Sequence, residues 1–448
     1  MFESCRQILR RVQPVGVAGR VGGVRGLTAT VAGFPAPIGS ACRIEGGGRG
    51  VDARVIGFTG EHTLVMPMGP MTGICRGDRV VFRSSEQALG VGPALLGRIL
   101  NGRGEPIDGG GRLATEARVP IWPAPISPLE RRRLTRPLAT GVRAIDALLT
   151  VGRGQRMGIF SGSGVGKSVL LGMIGRYTAA DVAVIAMIGE RGREVRDFLE
   201  RDLGPAGRKR SVVVVSTSDE PPLMRVQAAA VATAAAEYFR DRGGDVLLLM
   251  DSLTRLAAAQ RTIGLAAGEP PATKGFTPSV FNLLPELLER SGRTAAGSIT
   301  GFYTVLVEGD DPADPVSDAV RAVTDGHICL SRPLFHQGHY PAIDVLASVS
   351  RVMADVADAA HRQGARDIRR LIAAHAEVQD LVNVGAYKPG ANLETDLAVR
   401  TMPMIRAFLS QDMWESSPLP QTLAAMGDVV RKIAQVRRDL SLPPIGAV

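Results

Sequence analysis

Cysteine is scarce in this 448-residue chain, and its four copies, Cys5, Cys42, Cys75 and Cys329, never fall into a C-x-x-C spacing. Scattered cysteines speak against a metal site or a disulfide framework and point to reduced thiols. Aromatics amount to only 4% and nowhere interleave with basic residues. The stacking platform with which proteins grip single-stranded nucleic acid is therefore missing. Long apolar runs are missing as well, since Arg176 and Asp181 break the most apolar region, short of the roughly 18 residues that a membrane span needs. The start, Met1 to Arg11, lacks the apolar stretch and small-residue cleavage site of a secretory signal, so cytosolic residence is expected. Lysine is nearly absent at five copies, and the net charge of +9 rests on arginine. Such a balance fits nucleic acid, anionic lipid or an acidic partner, and composition does not choose among them.

What is present is a phosphate-binding loop. Residues Ser161-Gly162-Ser163-Gly164-Val165-Gly166-Lys167-Ser168 lie between an apolar segment ending at Phe160 and a helix-like segment beginning Val169-Leu170-Leu171. Strand, Gly-rich loop and helix is the order a P-loop requires, because successive backbone N–H groups and the helix N-terminus then face one anion. Lys167 is placed to reach the β- and γ-phosphates of a nucleotide, and the Ser168 hydroxyl to ligate Mg²⁺. Ser161 stands where the G-x-x-x-x-G-K-[ST] pattern asks for glycine, a mild departure because close approach to phosphate falls to the later glycines.

The length predicts two or three domains. Short alternating runs, Leu27 to Ala32, Ala41 to Glu45, Val51 to Phe58, Thr63 to Met66 and Asp78 to Arg83, are separated by turns such as Gly46-Gly47-Gly48, and predict a small antiparallel β-barrel. A proline-rich connector, Pro120 to Pro128, and the run Arg131-Arg132-Arg133 follow; the triplet reads as a solvated linker. Buried strands are expected at Val182 to Ile188, Ser211 to Ser216, Asp245 to Met250 and Ser298 to Val307, with helical stretches between them such as Met224 to Phe239. That alternation predicts a parallel α/β sheet with ligands at the carboxyl ends of its strands. Strands stop near residue 355, and Ala365 to Val382, Asn392 to Leu409 and Gln421 to Leu440 carry helical periodicity. The expected domains are 1–90, 91–355 and 356–448.

Two strand ends carry acids. Val246 to Met250 delivers Asp251, the carboxylate that a P-loop site needs near Mg²⁺. Val182 to Ile188 delivers Gly189-Glu190-Arg191-Gly192-Arg193-Glu194, in which Glu190 is the best placed residue to orient and polarise an attacking water; a helix-terminus carboxylate is its alternative role.

From about residue 20 to 440 the chain resembles the hexameric rotary-ATPase-like family that contains the β subunit of ATP synthase and the type III secretion ATPases, most closely its flagellar export branch. The carrying segments are Thr140-Gly-Val-Arg-Ala-Ile-Asp146, Gly152-Arg-Gly-Gln-Arg-Met-Gly-Ile-Phe160, the P-loop, Gly189-Glu-Arg-Gly-Arg-Glu-Val195, Asp251-Ser-Leu-Thr-Arg255, Gly268-Glu-Pro-Pro-Ala-Thr-Lys-Gly275 and Tyr340-Pro-Ala-Ile-Asp-Val-Leu-Ala-Ser-Val-Ser-Arg351. The resemblance implies a multidomain α/β protein: an N-terminal barrel, a RecA-like P-loop domain and a C-terminal helical domain. It implies that Glu190 is the catalytic carboxylate and that Asp251 and Glu194 order Mg²⁺. Arg191 and Arg255 would then lie near the γ-phosphate, Tyr340 would pack on adenine, and Arg351 would be an arginine finger offered to a neighbour. The implied cofactors are ATP and Mg²⁺. The implied partners are a homohexamer, export regulator and stalk proteins, an export gate, substrate–chaperone complexes and the inner face of the cytoplasmic membrane, with no nucleic acid. The alternatives are an injectisome ATPase, a catalytic subunit of a proton-translocating synthase, and an RNA-translocating hexamer. Against the synthase stands the want of a clustered acidic block near the C-terminus, and against the RNA translocase the dispersed basic residues. A non-catalytic nucleotide-binding subunit is disfavoured by the presence of Glu190.

Overall fold

In the computed structural model, which describes residues 16–46, 50–307, 314–390 and 392–442, the valine-rich runs near the start of the chain close into a six-stranded barrel. Its strands are β1 (Ala18–Arg25), β2 (Thr28–Ala32), β3 (Ala41–Glu45), β4 (Val51–Thr59), β5 (His62–Pro67) and β6 (Arg79–Ser84), in the order β1-β2-β5-β4-β3-β6 with β1 pairing back onto β6. Every pairing is antiparallel, and inward residues such as Val31, Ile44, Val55, Val65 and Val80 are fully buried. The alternating runs predict only five strands. The sixth, β1, is diluted by three glycines, one of which is required: a Cβ at Gly19 would sit 2.7 Å from the Ala32 carbonyl oxygen. The expected turn at Gly47-Gly48 and the first eleven residues lie outside the described residues.

Strands also form between the barrel and the proline-rich connector. Ala88–Val91 pairs with Ala117–Pro120, and β7 (Ile99–Asn101) joins the edge of the central sheet. The other strands of that sheet are β8 (Arg156–Ser161), β9 (Val182–Ile188), β10 (Ser211–Ser216), β11 (Asp245–Asp251), β12 (Ser298–Leu306), β13 (Gly326–Leu330) and β14 (Ile343–Ser350). Their order is β14-β13-β8-β12-β11-β9-β10-β7, parallel from β13 to β7, with β14 running antiparallel at the edge and short Gly292–Arg293 pairing onto β12. All seven residues of β9 and all six of β10 are buried, because helices cover both faces and leave no polar side to alternate with.

Helix α1 (Lys167–Tyr177) follows the P-loop and lies on one face; α2 (Pro222–Asp241) and α3 (Leu253–Ala267) lie on the other. Beyond β14 come α4 (Ala359–Asn383), α5 (Leu393–Leu409) and α6 (Leu419–Asp439), whose buried residues Ile368, Leu371, Leu397, Ile405 and Ile433 extend the α1-side core. Each such aliphatic side chain contributes about 1.5–3 kcal/mol on burial. Helix α4 starts six residues before the periodicity suggests, because Asp358 caps it by accepting from the His361 N–H at 2.8 Å. Among the described residues no helix is long and apolar enough to cross a membrane.

Candidate active site

Parallel strands aim their carboxyl ends at one edge, so β8, β9 and β11 bring the P-loop, Glu190 and Asp251 together. Gly164 and Gly166 hold positive φ of 76° and 87°, and a Cβ on either would meet nothing within 4 Å, so the loop backbone borders open space. Ser161, at the first position of the pattern, is buried and its Oγ has no protein partner. Gly162 is buried with it, whereas Ser163 and Ser168 are exposed, the latter one residue into α1.

Three charged side chains meet behind the loop. Lys167 Nζ donates to Asp251 Oδ1 and lies 3.5 Å from Glu190 Oε1, with the three side chains only 12%, 7% and 9% exposed. Thr304 on β12 fixes the Asp251 carboxylate by donating to Oδ1 at 2.6 Å. Burial pushes the Glu190 carboxyl up, and the nearby Asp251 charge adds to the rise more than Lys167 offsets it, to about 7. Burial opposes the Lys167 charge, but Asp251 and Glu190 outweigh it and hold the ammonium above its ordinary range. Glu194, half exposed on the short helix Gly192–Asp197, is held below the usual range chiefly by its hydrogen bond with Glu190. Arg191 is 79% exposed, 3.9 Å from Glu194, and Arg255 is the exposed residue of the first turn of α3, whose N-terminus Ser252 caps.

Beside the loop opens a cavity of about 530 Å³, walled mostly by apolar groups of Val165, Val169, Met173, Phe335, Tyr340 and Met413. Tyr340 is 48% exposed and meets Phe335 edge to face at 5.4 Å. Phe335 and Met413 belong to the site although nothing in their own sequence surroundings marks them; only the fold brings residue 413 to residue 165. Thr304 escaped for the same reason, as one threonine in an apolar strand.

Arg351 is not brought to this edge. Gly326 pairs with Ser350, and β13 runs parallel to β8, so Arg351 sits at the amino end of the strands while the P-loop is at their carboxyl end. There its backbone N–H donates to the Asp325 carbonyl at 3.0 Å, on the exposed edge of the sheet.

The donors fit a Mg²⁺–nucleotide. Hydroxyl and carboxylate oxygens from Ser168, Asp251 and Glu194 are hard ligands, few enough to leave the remaining positions to water and phosphate. Among the described residues no group of three or more His, Cys, Asp or Glu is placed to hold a metal ion by itself.

Three family profiles match the chain in order: the ATP synthase alpha/beta family beta-barrel domain over residues 23–83, its nucleotide-binding domain over 141–350, and the T3SS EscN ATPase C-terminal domain over 357–428. A flagellum-specific ATP synthase of Pseudomonas aeruginosa is 51% identical over 93% of this chain and 94% of its own length. A type 3 secretion system ATPase of Xanthomonas euvesicatoria is 50% identical over 92% and 93%. Among solved structures, the assembled ATPase EscN of enteropathogenic E. coli superimposes with a TM-score of 0.88 at 42% identity, covering 92% of this chain and all of that one. With barrel, nucleotide-binding sheet and C-terminal helices all matched in order, the chain belongs to the ATP synthase alpha/beta family, among its flagellar and type III secretion ATPases.

Proposed function

We propose that this protein hydrolyses ATP to energise export of unfolded flagellar proteins through the flagellar type III secretion apparatus. The observation that carries the reading is the buried meeting of Lys167, Glu190 and Asp251 behind a P-loop that borders open space. In this reading the loop residues Ser161 to Ser168 cradle the phosphates through their backbone, and Val169 and Tyr340 flank the base. Lys167 turns from Asp251 toward the terminal phosphate. Asp251, Glu194 and Ser168 would hold Mg²⁺ with its waters, and the ion would supply charge neutralisation at the phosphate oxygens. Glu190, whose raised affinity for protons suits a base working near neutral pH, polarises the attacking water. Arg191 and Arg255 face the γ-phosphate, and Arg351 serves the neighbouring subunit.

We place the domain boundaries near residues 90 and 355. EscN has been solved as an assembled ATPase and in complex with its central stalk EscO, which supports a homohexamer with a stalk partner here. Contacts with an export gate, with substrate–chaperone complexes and with the inner face of the cytoplasmic membrane complete the proposal, with the protein cytoplasmic. An injectisome role is the second reading, favoured by the 50% identity to the Xanthomonas protein.

Lys167→Ala tests the reading. It removes the one cation that the loop itself supplies, so ATP turnover should fall to background while the fold, followed by circular dichroism, survives. Near-normal turnover would sink the P-loop assignment. Secretion of flagellin in a strain lacking its own export ATPase separates the flagellar from the injectisome role.

A further inference from the structure

Two arginines press against the backbone immediately before Glu190. Gly189, at φ +72°, is so closely packed that a Cβ there would lie 2.7 Å from Cβ of Arg255 and 3.6 Å from Cδ of Arg225. Arg255 comes from the first turn of α3 and Arg225 from the first turn of α2, so two helix N-termini converge beside them. The Arg225 side chain is half-buried, and its Nε is enclosed without a hydrogen-bond partner. Among the described residues neither guanidinium has a carboxylate within ion-pair distance; Arg255 is exposed, but half-buried Arg225 differs in this from Arg156, Arg210 and Arg290, which have carboxylate or carbonyl partners. Glu220, whose charge favours the Arg225 cation from a distance, accepts from the hydroxyl of Ser216 rather than from Arg225. Burial makes the Arg225 charge costly and its like-charged neighbour Arg255 adds to the cost.

Two guanidiniums that repel each other, at one edge with the P-loop and lacking an anion from the protein, are relieved when a single oxyanion bridges them. We propose that Arg225 and Arg255 form a station for the terminal phosphate beside Gly189, and that Arg225 is a further catalytic residue. This rests on the ATPase reading above. The oxyanion arrives either as the γ-phosphoryl group of bound ATP or as inorganic phosphate once the β–γ bridge has broken. In the first case Arg225 stabilises charge developing in the transition state; in the second it delays phosphate release.

The experiment uses the full chain with Arg225→Gln and Arg225→Lys. Four quantities are read: kcat, KM for ATP, the inhibition constant of inorganic phosphate and the dissociation constant of MgADP. ADP lacks the phosphate in question, so its affinity should stay within about twofold. Loss of one preorganised donor to developing charge lowers kcat on the order of 10²-fold, so Arg225→Gln should lose at least about tenfold if the γ-phosphoryl group is the ligand. If free phosphate is the ligand, its inhibition constant should rise at least about tenfold. Arg225→Lys, which keeps a charge without the fork, should recover part of whichever quantity moved. The proposal is overturned if kcat and phosphate inhibition are both unchanged, or if MgADP affinity and thermal stability fall along with them in both variants, as they would for a merely structural arginine. A wild-type protein without ATP turnover would instead overturn the functional reading.

Discussion

Glu190 shares its burial with Asp251 and with a single lysine, so the protein holds two carboxylates against one cation. The fold accommodates that imbalance by favouring the protonated form of Glu190, from an ordinary 4.5 up to about 7. A raised carboxyl gives stability that is complete below about pH 4.5 and is lost as pH climbs through about 7. Glu190→Gln carries no such charge. Its melting temperature relative to wild type, without nucleotide, should therefore increase between pH 5 and pH 8, by the equivalent of up to about 3 kcal/mol. A difference that is flat with pH would show Glu190 to be an ordinary exposed-type carboxylate. The same titration should appear as an acid limb near pH 7 in wild-type kcat/KM, since a base must be ionised to take a proton. MgATP binding should survive in the variant while turnover drops about 10²–10⁴-fold. Binding and turnover falling together would make Glu190 a binding or structural group. At this scale the sequence points to Glu190 and Asp251 because each stands at the end of a buried strand in a chain that also carries a P-loop; without that loop an acid at a strand end would be ordinary. Thr304 and Arg225 were not legible, since one threonine in a strand and one arginine in a helix mean nothing until the partner surface is known.

Elements that were legible owe it to local signals: G-K-S at the start of α1, seven buried residues in β9, Asn392 capping α5. Contacts between elements were not. The loop 410–415 between α5 and α6 belongs to the helical part of the chain, yet it forms one wall of the cavity beside the P-loop. Arg176 near the end of α1 pins it, donating to the Met413 carbonyl with its guanidinium 4.3 Å from the centre of the Trp414 ring. Arg143 reaches the Ser410 carbonyl at 3.3 Å, and Gln411 donates to the Gly141 carbonyl at 2.8 Å. Since 237 positions separate Arg176 from Met413, no periodicity in either segment encodes their meeting. Arg176→Ala removes a charge-assisted hydrogen bond and a cation–π contact, together on the order of 1–2 kcal/mol in wall position. KM for ATP should rise about 5–30-fold, with kcat within about twofold, because Lys167, Glu190 and Asp251 are untouched. Steady-state kinetics on the variant checks the split, and an unchanged KM would mean that the wall does not contact the nucleotide.

The whole molecule joins its parts through buried arginines. Arg54 on β4, 9% exposed and pushed down to about 10 by burial, donates to Gln227 of α2 at 2.7 Å and so ties the barrel to the nucleotide-binding sheet. Arg351 has the opposite character, exposed just past the antiparallel edge strand, at the far end of the sheet from its own P-loop. Within one subunit it has no phosphate to reach, so any role in turnover must be exercised on another copy. An arginine that neutralises charge on transferring phosphoryl oxygens is worth about 10³–10⁵ in rate where it has been supplied in trans. Activity should accordingly climb more steeply than linearly with protein concentration, and Arg351→Ala should bind ATP yet stay slow at every concentration. Mixing tests the arrangement directly. Arg351→Ala and Glu190→Gln are each expected to be inactive alone. In a mixed ring some interfaces join the intact Glu190 site of one variant to the intact Arg351 of the other, so part of the activity should return. If subunits are seen to exchange, by fluorescence transfer between labelled variants, and no activity returns, Arg351 does not act across the subunit boundary.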